Sequence, residues 1–311
     1  SNEMQIVFNS LTDEIDIFQK EFNMLMNSDI KYVNKIIKYL FKKQGKQIRP
    51  ILVILSAGIC NNISEQTYKA AALIELLHTA TLVHDDVVDD ADYRRGVFTI
   101  NALWKNKVAV LIGDYLLATG LLVALDNNYF DLLKIVSETT RKMSEGEILQ
   151  VKTSQKGNID EDTYLQIIEN KTATLFSVCF KGGAYTANAD EETQEIMRKI
   201  GLYAGMAFQI KDDLLDFDTK NTEKSTFIDL KEQKFTLPII HALNNSTFFE
   251  RKKMTFLIKK FKKNKNKSKE ILNWLNEKKS RDYSIGKMNE YKRKSLELLI
   301  QLPHSKYRDL T

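Results

Sequence analysis

Apolar residues recur every three or four positions through most of the chain, the spacing that puts them on one face of an α-helix. In the N-terminal part, Ile15, Phe18, Phe22 and Leu25 predict one amphipathic helix, and residues 33–40 predict a second. We expect both helices to pack their apolar faces on a core or on a partner.

Two later stretches are apolar on nearly every side rather than on one face. Residues 51–63 form the first, and residues 109–125, interrupted by Gly113 and Asp114, form the second. A helix of this kind is buried, either at the centre of a domain or against another subunit. Asp114 is then expected to be a buried acid with a structural partner. We expect none of these stretches to be long enough to span a bilayer.

Turn-forming residues are scarce, because the 311 residues include only 3 prolines and 12 glycines. That scarcity favours long helices over the many turns of an all-β fold. No break in composition is strong enough to mark a domain boundary. We therefore predict an all-α protein in which residues 1–311 form a single domain.

Composition argues against several classes of protein. The net charge is only +5, and the chain has no nucleic-acid-binding motif, P-loop or dinucleotide-binding motif. Cys60 and Cys179 are the only cysteines, and both lie in apolar surroundings. We expect them to be reduced core residues, and we expect a cytoplasmic protein, since no signal peptide opens the chain.

A lysine-rich segment, residues 251–269, has apolar residues interleaved with its charges. It predicts an amphipathic helix with a basic outer face, for which a solvated surface is the favoured interpretation. Weak attraction to an anionic membrane surface is the alternative.

The spacing D-D-x-x-D occurs twice, each time within a helical pattern of apolar residues. Carboxylates one helical turn apart repel each other and would destabilise a helix if nothing lay between them. Mg²⁺ prefers such oxygen ligands and completes its shell with water and substrate phosphates. The clusters therefore predict a magnesium site rather than a solvated acidic face. Their members are Asp85, Asp86 and Asp89 in the first copy and Asp212, Asp213 and Asp216 in the second.

The run HTATLVHDDVVDDADYRRG, at residues 78–96, and the run FQIKDDLLDF, at residues 208–217, resemble the two aspartate-rich motifs of the trans-polyprenyl diphosphate synthases. Further matches at GKQIRP and LIGDYLLA spread the resemblance over nearly the whole chain, and the motifs are closest to those of long-chain, octaprenyl-like members. The resemblance implies the isoprenoid synthase fold, a large bundle of long helices around a central cavity. It also implies a homodimer formed through helices of the region 109–125.

Members of this family condense isopentenyl diphosphate with an allylic diphosphate, release pyrophosphate and repeat the cycle on the product. The resemblance implies several Mg²⁺ ions, bridged by substrate diphosphate, with Asp213 in a supporting role. The implied metal ligands are Asp85, Asp86, Asp89, Asp212 and Asp216. The six motif aspartates, together with Arg94 and Lys171, are the residues expected to carry catalysis.

The resemblance also assigns basic and polar residues to the two diphosphates. Those implied for isopentenyl diphosphate are Lys46, Arg49, His78 and Arg95. Those implied for the allylic diphosphate are Arg94, Lys171 and Lys234, with Thr172 and Gln209 beside them. For Gln150, a position in a pocket and a position on a solvated face are equally expected. His84 is expected to have a structural role.

One part of the chain departs from the family pattern. Members usually have Gly-Lys-Pro soon after the second aspartate motif, whereas this chain has Thr-Glu-Lys-Ser at residues 222–225. Lys224 and Lys234 are therefore both candidates for the late diphosphate contact. Lys234 is the better match, because its pattern D-L-x-x-x-K-x-T-L-P is intact.

Ala80 and Thr81 lie about one helical turn before the first aspartates, in the direction away from the metals. A bulky aromatic residue at either position would close an apolar tunnel early. Both residues are small, as in family members that make long chains. The resemblance therefore implies a long all-trans product, of the kind used for quinone side chains.

Four alternative functions stay open. A farnesyl or geranylgeranyl diphosphate synthase would differ in product length, and a terpene cyclase would not depend on isopentenyl diphosphate. An HD-type metal phosphohydrolase would draw on His78, His84 and Asp85 but would leave the second aspartate cluster unexplained. A non-catalytic synthase subunit is expected to have eroded motifs, and both motifs are intact.

Overall fold

The computed structural model of the chain describes residues 2–43, 48–88, 100–156, 160–217, 234–261 and 267–311. Every regular element in these ranges is helical, which confirms the predicted all-α class. The helices of the N-terminal half are α1 (Asn2–Ser10), α2 (Thr12–Leu25), α3 (Lys31–Lys43), α4 (Ile48–Ile59), α5 (Glu65–Val88), α6 (Ile100–Asp126) and α7 (Phe130–Lys156). Those of the C-terminal half are α8 (Glu161–Ile168), α9 (Thr174–Thr186), α10 (Glu191–Leu215), α11 (Leu237–Asn244), α12 (Phe248–Lys259), α13 (Ser268–Glu277), α14 (Ser280–Ile300) and α15 (Lys306–Leu310).

The chain divides into two compact units of packing. Unit 1 contains Ser1–Thr140, Val178–Arg198 and Leu302–Thr311, and unit 2 contains Arg141–Ser177 and Lys199–Gln301. The first aspartate motif belongs to unit 1 and the second to unit 2. A single domain over residues 1–311 stays a prediction.

The core of unit 1 is built around α4, whose residues are almost all buried. The Ser56 hydroxyl donates to the carbonyl oxygen of Phe180 at 2.5 Å, which ties α4 to α9. A Cβ on Gly183 of α9 would lie 2.3 Å from the Val53 carbonyl oxygen, so only glycine allows the two helices to approach this closely.

Helices α5 and α6 run antiparallel and make close contact at two glycines. A Cβ on Gly120 would lie 2.9 Å from Leu77, and a Cβ on Gly113 would lie 2.3 Å from the imidazole of His84. The glycines are two helical turns apart on α6, and so are their partners on α5. This contact places the end of α5, which carries the first aspartates, firmly against α6.

Within the described residues helix α6 is buried on one side only. It is therefore not the fully buried central helix of the domain, which was one of the two expectations, and burial against another subunit stays a prediction. Asp114 lies on the open side with 60% of its side chain exposed, and it is not the buried acid that the apolar pattern predicted. A run of apolar residues can occupy an exposed face, because composition alone does not say what covers it. The exposed apolar residues of this surface, the α6 face, are Val110, Leu111, Leu117, Leu121, Leu122 and Leu125.

The stretch Lys105–Asp126 is long and apolar enough to cross a membrane by length and composition. An 18-residue window within it has a mean hydropathy of 2.2 and is 33% buried within the chain, so the expectation that no stretch reaches this length was wrong. The finding is weak evidence for a membrane span, because core helices of soluble proteins meet the same criteria.

Unit 2 packs helices α8 and α10 to α14 around a core that includes Ile210, Leu237, Ile271 and Trp274. The apolar residues Leu296, Leu299 and Ile300 predict core packing for the last long helix, and this holds only in part, since Leu299 is buried while Leu296 and Ile300 are exposed. The two exposed residues project from the outer side of α14.

Candidate active site

The first aspartate motif lies at the C-terminal end of α5. Asp85 is half-buried and Asp86 is exposed, in the last turn before Val88. Five other residues considered from the sequence lie outside the described residues, and their roles stay predictions. They are Lys46, Asp89, Arg94, Arg95 and Lys224.

His84 holds this last turn against α6. Its Nε2 lies 3.2 Å from the carbonyl oxygen of Val110 and 3.4 Å from Oδ1 of Asp114. Both neighbours are acceptors, so Nε2 carries the hydrogen. The last carbonyl groups of a helix have no partners within it, and a side-chain anchor therefore limits fraying of the turn that carries Asp85 and Asp86.

Arg49 is held at the start of α4 by a carboxylate to which the sequence had assigned no role. Its Nε and Nη2 donate to the two oxygens of Glu75 at 2.8 and 3.0 Å, and the Glu75 side chain is fully buried. A paired bond of this geometry fixes the plane of the guanidinium group. A diphosphate bound at Arg49 would therefore meet the donors that Glu75 leaves open, the two hydrogens of Nη1 and the second hydrogen of Nη2.

His78 follows Glu75 on α5 and is neutral. Burial lowers its pKa to about 3, and the positive charge of Arg49 acts in the same direction. Among the described residues, none forms a hydrogen bond with its Nδ1. A neutral imidazole still has one N–H group, so His78 can donate a hydrogen bond in the predicted contact with isopentenyl diphosphate.

Ala80 and Thr81, the predicted chain-length residues, lie on α5 before the aspartates. Ala80 is buried and Thr81 is half-buried. The Thr81 hydroxyl donates to the Leu77 carbonyl oxygen at 3.1 Å, so its hydrogen-bonding capacity is used within the helix. Neither side chain needs a polar partner elsewhere.

The second aspartate motif lies at the end of α10. Asp212 is exposed and Asp213 is buried, and the helix ends at Leu215. Asp216 was expected on the same helix face as Asp212 but lies in the turn that follows. The chain tightens there, because the N–H of Phe217 donates to a carbonyl three residues back instead of four.

Each carboxylate oxygen of Asp213 accepts a hydrogen bond. Tyr164 donates its hydroxyl hydrogen to Oδ2, and Gln209 donates from Nε2 to Oδ1 at 2.9 Å. Gln209 in turn accepts from the Thr172 hydroxyl at 2.7 Å. Two residues predicted to lie beside the allylic diphosphate thus belong to a hydrogen-bond chain that orients a motif aspartate.

Lys171 and Thr172 lie in a π-helical turn, Glu169–Ala173, where the sequence pattern indicated regular α-helix. Such turns widen a helix locally and are frequent at functional sites. Two glycines make room for it. A Cβ on Gly205 would lie 2.6 Å from a backbone atom of the turn, and a Cβ on Gly146 would lie 2.9 Å from one of its side-chain atoms.

A cavity of about 200 Å³ in unit 2 brings predicted diphosphate contacts and predicted metal ligands together. The Lys171 ammonium donates to the Gln150 side-chain oxygen at 3.2 Å and lies 3.3 Å from a Glu147 oxygen. Gln150 is therefore part of a pocket. The charged and amide side chains that line the cavity are Gln150, Lys171, Gln209, Asp212, Asp213 and Lys234.

A larger cavity, of about 730 Å³, lies among α1 to α4 in unit 1. Its lining is mostly apolar and includes none of the predicted site residues. The size of a cavity therefore does not identify the site in this chain, whereas the chemistry of its lining does.

The oxygen donors in the unit 2 cavity fit a magnesium ion that is also bound by a substrate phosphate. Among the described residues, no three His, Cys, Asp or Glu side chains lie close enough to hold a metal ion by themselves. Asp212 offers a carboxylate in a cavity that also contains two lysines. Mg²⁺ is commonly held by one or two carboxylates together with substrate phosphates and water, and this donor set suits that arrangement.

Sequence reasoning missed Glu75 and Tyr164. Glu75 carried a signal, because an acid within the apolar stretch of α5 requires a partner when it is buried. Tyr164 carried none, since a tyrosine in an amphipathic helix is ordinary and its bond to Asp213 joins residues far apart in the chain.

The all-α fold of this chain is that of solved polyprenyl synthases. A decaprenyl diphosphate synthase from Rhodobacter capsulatus has a TM-score of 0.88 and 30% identity, covering 98% of this chain and 95% of that one. Polyprenyl synthase from Caulobacter crescentus CB15, crystallised with calcium and isoprenyl diphosphate, has a TM-score of 0.85 and 29% identity, covering 98% and 93%.

The amino-acid sequence points the same way. The polyprenyl synthetase family profile matches residues 30–275. The all-trans-nonaprenyl-diphosphate synthase (geranyl-diphosphate specific) of Rhodobacter capsulatus is 43% identical over 226 residues, which are 71% of this chain and 69% of that protein. The chain therefore belongs to the polyprenyl synthetase family of chain-elongating prenyltransferases, as its two aspartate motifs predicted.

Proposed function

We propose that this prenyltransferase is Mg²⁺-dependent and condenses isopentenyl diphosphate with an allylic diphosphate, releasing pyrophosphate in each cycle. The observation that carries the proposal is the unit 2 cavity, in which Lys171 and Lys234 lie with Asp212 and Asp213. A diphosphate has several negative charges, and lysines together with a carboxylate-bound cation neutralise them.

Bound Mg²⁺ would stabilise the negative charge that develops on the leaving diphosphate. The residues proposed to hold it are Asp85, Asp86, Asp89, Asp212 and Asp216. Asp213 supports them, because its two oxygens already accept from Tyr164 and Gln209. The Caulobacter relative crystallised with calcium and isoprenyl diphosphate supports a divalent cation in this role.

The basic residues divide between the two substrates. Lys171, Lys234 and Arg94 hold the allylic diphosphate, and as fixed charges they stabilise the pyrophosphate that leaves when the C–O bond breaks. Lys46, Arg49, His78 and Arg95 hold isopentenyl diphosphate so that its double bond meets the allylic cation. The proton lost afterwards goes to the released pyrophosphate, so no side chain is needed as the base.

The product in this proposal is a long all-trans polyprenyl diphosphate, used for a quinone side chain. Relatives named as nonaprenyl and decaprenyl diphosphate synthases support a long chain. The small side chains of Ala80 and Thr81 support it as well, since a bulky aromatic residue at either position would close an apolar tunnel beside α5 early.

The active form in this proposal is a homodimer that uses the α6 face. Large leucine side chains are exposed along about four turns of this helix, from Leu111 to Leu125, and a patch of this kind on a water-soluble surface marks an interaction site. A second copy is the simplest cover, because a two-fold contact presents the same apolar face from each side.

The test is incubation of the chain with Mg²⁺, labelled isopentenyl diphosphate and allylic primers of different length, followed by separation of the products by size. The proposal expects a long product that forms only when both diphosphates are present. Products that stop early would favour a farnesyl or geranylgeranyl synthase. Products without isopentenyl diphosphate would favour a cyclase, and phosphate release alone a phosphohydrolase.

A pair of lysine variants makes the test specific to the cavity. Lys171→Gln removes a charge-assisted bond and is expected to lower kcat/KM for the allylic substrate by roughly tenfold to a hundredfold. Lys199→Gln removes an exposed charge on α10 and is expected to leave it unchanged. Equal activity in both variants would argue against the proposed role of Lys171, and no incorporation by the unmodified chain would favour a non-catalytic subunit.

A further inference from the structure

Helix α12 exposes three phenylalanines, a residue that folded proteins usually bury. Phe248, Phe249 and Phe256 are 65%, 80% and 55% exposed. The helix is already anchored to the core of unit 2 on its opposite side, through Met254, Leu257 and Ile258. The exposed rings therefore do not contribute to the packing of the core of unit 2.

Lysines share this aromatic face. A helix turns by about 100° per residue, which places the three phenylalanines and four lysines in one sector of about 140°. Two ammonium groups lie over exposed rings, Lys252 at 4.6 Å from the Phe248 centroid and Lys260 at 4.2 Å from that of Phe256. The exposed lysines of the sector are Lys252, Lys253, Lys259 and Lys260. These four lysines and the three phenylalanines together form the α12 face.

The acid of α12 does not oppose these charges. Glu250 forms a capping box with Thr247 and lies 3.2 Å from the Lys278 ammonium, away from the α12 face. One contact neutralises part of the face, between Lys253 and Glu270 at 3.2 Å. The face therefore combines a net positive charge with exposed aromatic surface.

We infer that the α12 face docks on an anionic lipid bilayer, with its phenylalanines at the boundary between headgroups and acyl chains and its lysines at the lipid phosphates. Charge complementarity selects the anionic surface, because each lysine near it gains attraction. The rings select a bilayer over a purely aqueous polyanion, because burying them removes apolar surface from water. The sequence alone favoured a solvated face here, since it did not reveal which aromatic residues are exposed.

Docking of this kind suits a long polyprenyl product, which is insoluble in water and has to reach a bilayer. That advantage rests on the proposed function, but docking itself needs neither substrate nor catalysis. Binding and synthesis can therefore be measured separately.

The experiment is co-sedimentation of the full chain with vesicles, either of phosphatidylcholine alone or of phosphatidylcholine with phosphatidylglycerol. We expect strong partition only to the anionic vesicles, and a decrease as salt is raised, because salt screens exposed charges. A Phe249→Trp variant should shift its fluorescence to shorter wavelength on these vesicles, which reports insertion of the side chain rather than simple charge attraction.

Matched variants assign the effect to the α12 face. Lys252→Gln with Lys260→Gln should lower partition by about thirtyfold, and Phe248→Ser with Phe249→Ser should lower it on the order of tenfold. One control removes two exposed lysines elsewhere, through Lys199→Gln with Lys292→Gln. The other removes an exposed apolar side chain elsewhere, through Ile300→Ser. Circular dichroism melts verify that each variant is folded.

Failure of the unmodified chain to bind anionic vesicles would overturn the inference, and so would equal losses in the variants and the controls. Single-stranded RNA that binds more tightly than vesicles and competes with them would assign the face to nucleic acid instead. Synthase activity in detergent solution, measured in parallel, keeps the two proposals apart. An active chain that ignores vesicles rejects only the docking, and a docking chain that incorporates no isoprene unit rejects only the function.

Discussion

His78 is a buried base whose charge state couples the folding of unit 1 to pH. Its pKa is about 3 in the folded chain, lowered by burial and by Arg49, and about 6.5 in an unfolded chain. The unfolded chain therefore binds more protons between these values, and the free energy of unfolding decreases as pH falls through this window. The slope from this residue alone is at most about 1.4 kcal/mol per pH unit.

Urea unfolding at several pH values between 7.5 and 4 measures this effect. A His78→Gln variant should lose this part of the pH dependence, because glutamine does not titrate. A His304→Gln variant should keep it, since His304 is 72% exposed. Parallel curves for the original chain and the His78→Gln variant would show that His78 is not the buried base.

Product length is predicted to depend on Ala80 and Thr81, the two small residues before the first aspartates. Replacing either with Phe adds a ring beside α5, where Ala80 is buried and Thr81 half-buried, and should shift the product to a shorter chain. Thr81→Val keeps the volume of the side chain and should keep the original product. Thin-layer separation of labelled products measures the shift, and an unchanged length in both Phe variants would remove this interpretation.

At the scale of single elements, the π-helical turn depends on the glycines that face it. A Cβ on Gly205 would lie 2.6 Å from the backbone of this turn, which has no flexible side chain to move aside. Gly205→Ala should destabilise the fold by about 1–3 kcal/mol. It should also raise KM for the allylic substrate, because Lys171 and Thr172 shift with the turn.

Gly286, in the middle of α14, provides the matched control. A Cβ there meets no atom within 4 Å, so Gly286→Ala should stabilise the chain by about 0.5–1 kcal/mol through better helix propensity. Chemical denaturation of the two variants measures the contrast. A Gly205→Ala variant as stable as the original would mean that the turn adapts to the added methyl group.

The elements that the sequence predicted well are those in which local pattern decides the structure. The sequence predicts Asp160 as the cap of α8, and its side chain accepts from the N–H of Thr163 at 2.7 Å. Such a cap depends only on residues close in sequence. The π-helical turn and the early end of α10 were not predictable in this way. The π-helical turn depends on glycines of two other helices, α7 and α10. Helix α10 ends early because the chain tightens after Leu214, although the residue types that follow are compatible with a helix.

At the scale of the whole molecule, the sequence identified the family from two short motifs but left two possible covers for α6, its own chain or another subunit. Its apolar pattern is the same whether the helix is covered by its own chain or by another molecule. His84 and Gly113 account for one side of α6, and within the described residues the leucines of the α6 face remain exposed. That exposure is what the proposed dimer requires, since a second copy would cover the same face.

The proposed dimer gives the last prediction. Leu122 is 56% exposed at the α6 face. A Leu122→Glu variant places a carboxylate there, and a two-fold contact through this face would then bury two unpaired carboxylates. Such burial is strongly unfavourable. Sedimentation velocity should show a dimer for the original chain and a monomer for Leu122→Glu. Ile300→Glu, at a residue 71% exposed on α14, should remain dimeric. An original chain that sediments as a monomer, or that stays dispersed only in detergent, would contradict the dimer and favour lipid as the cover of this face.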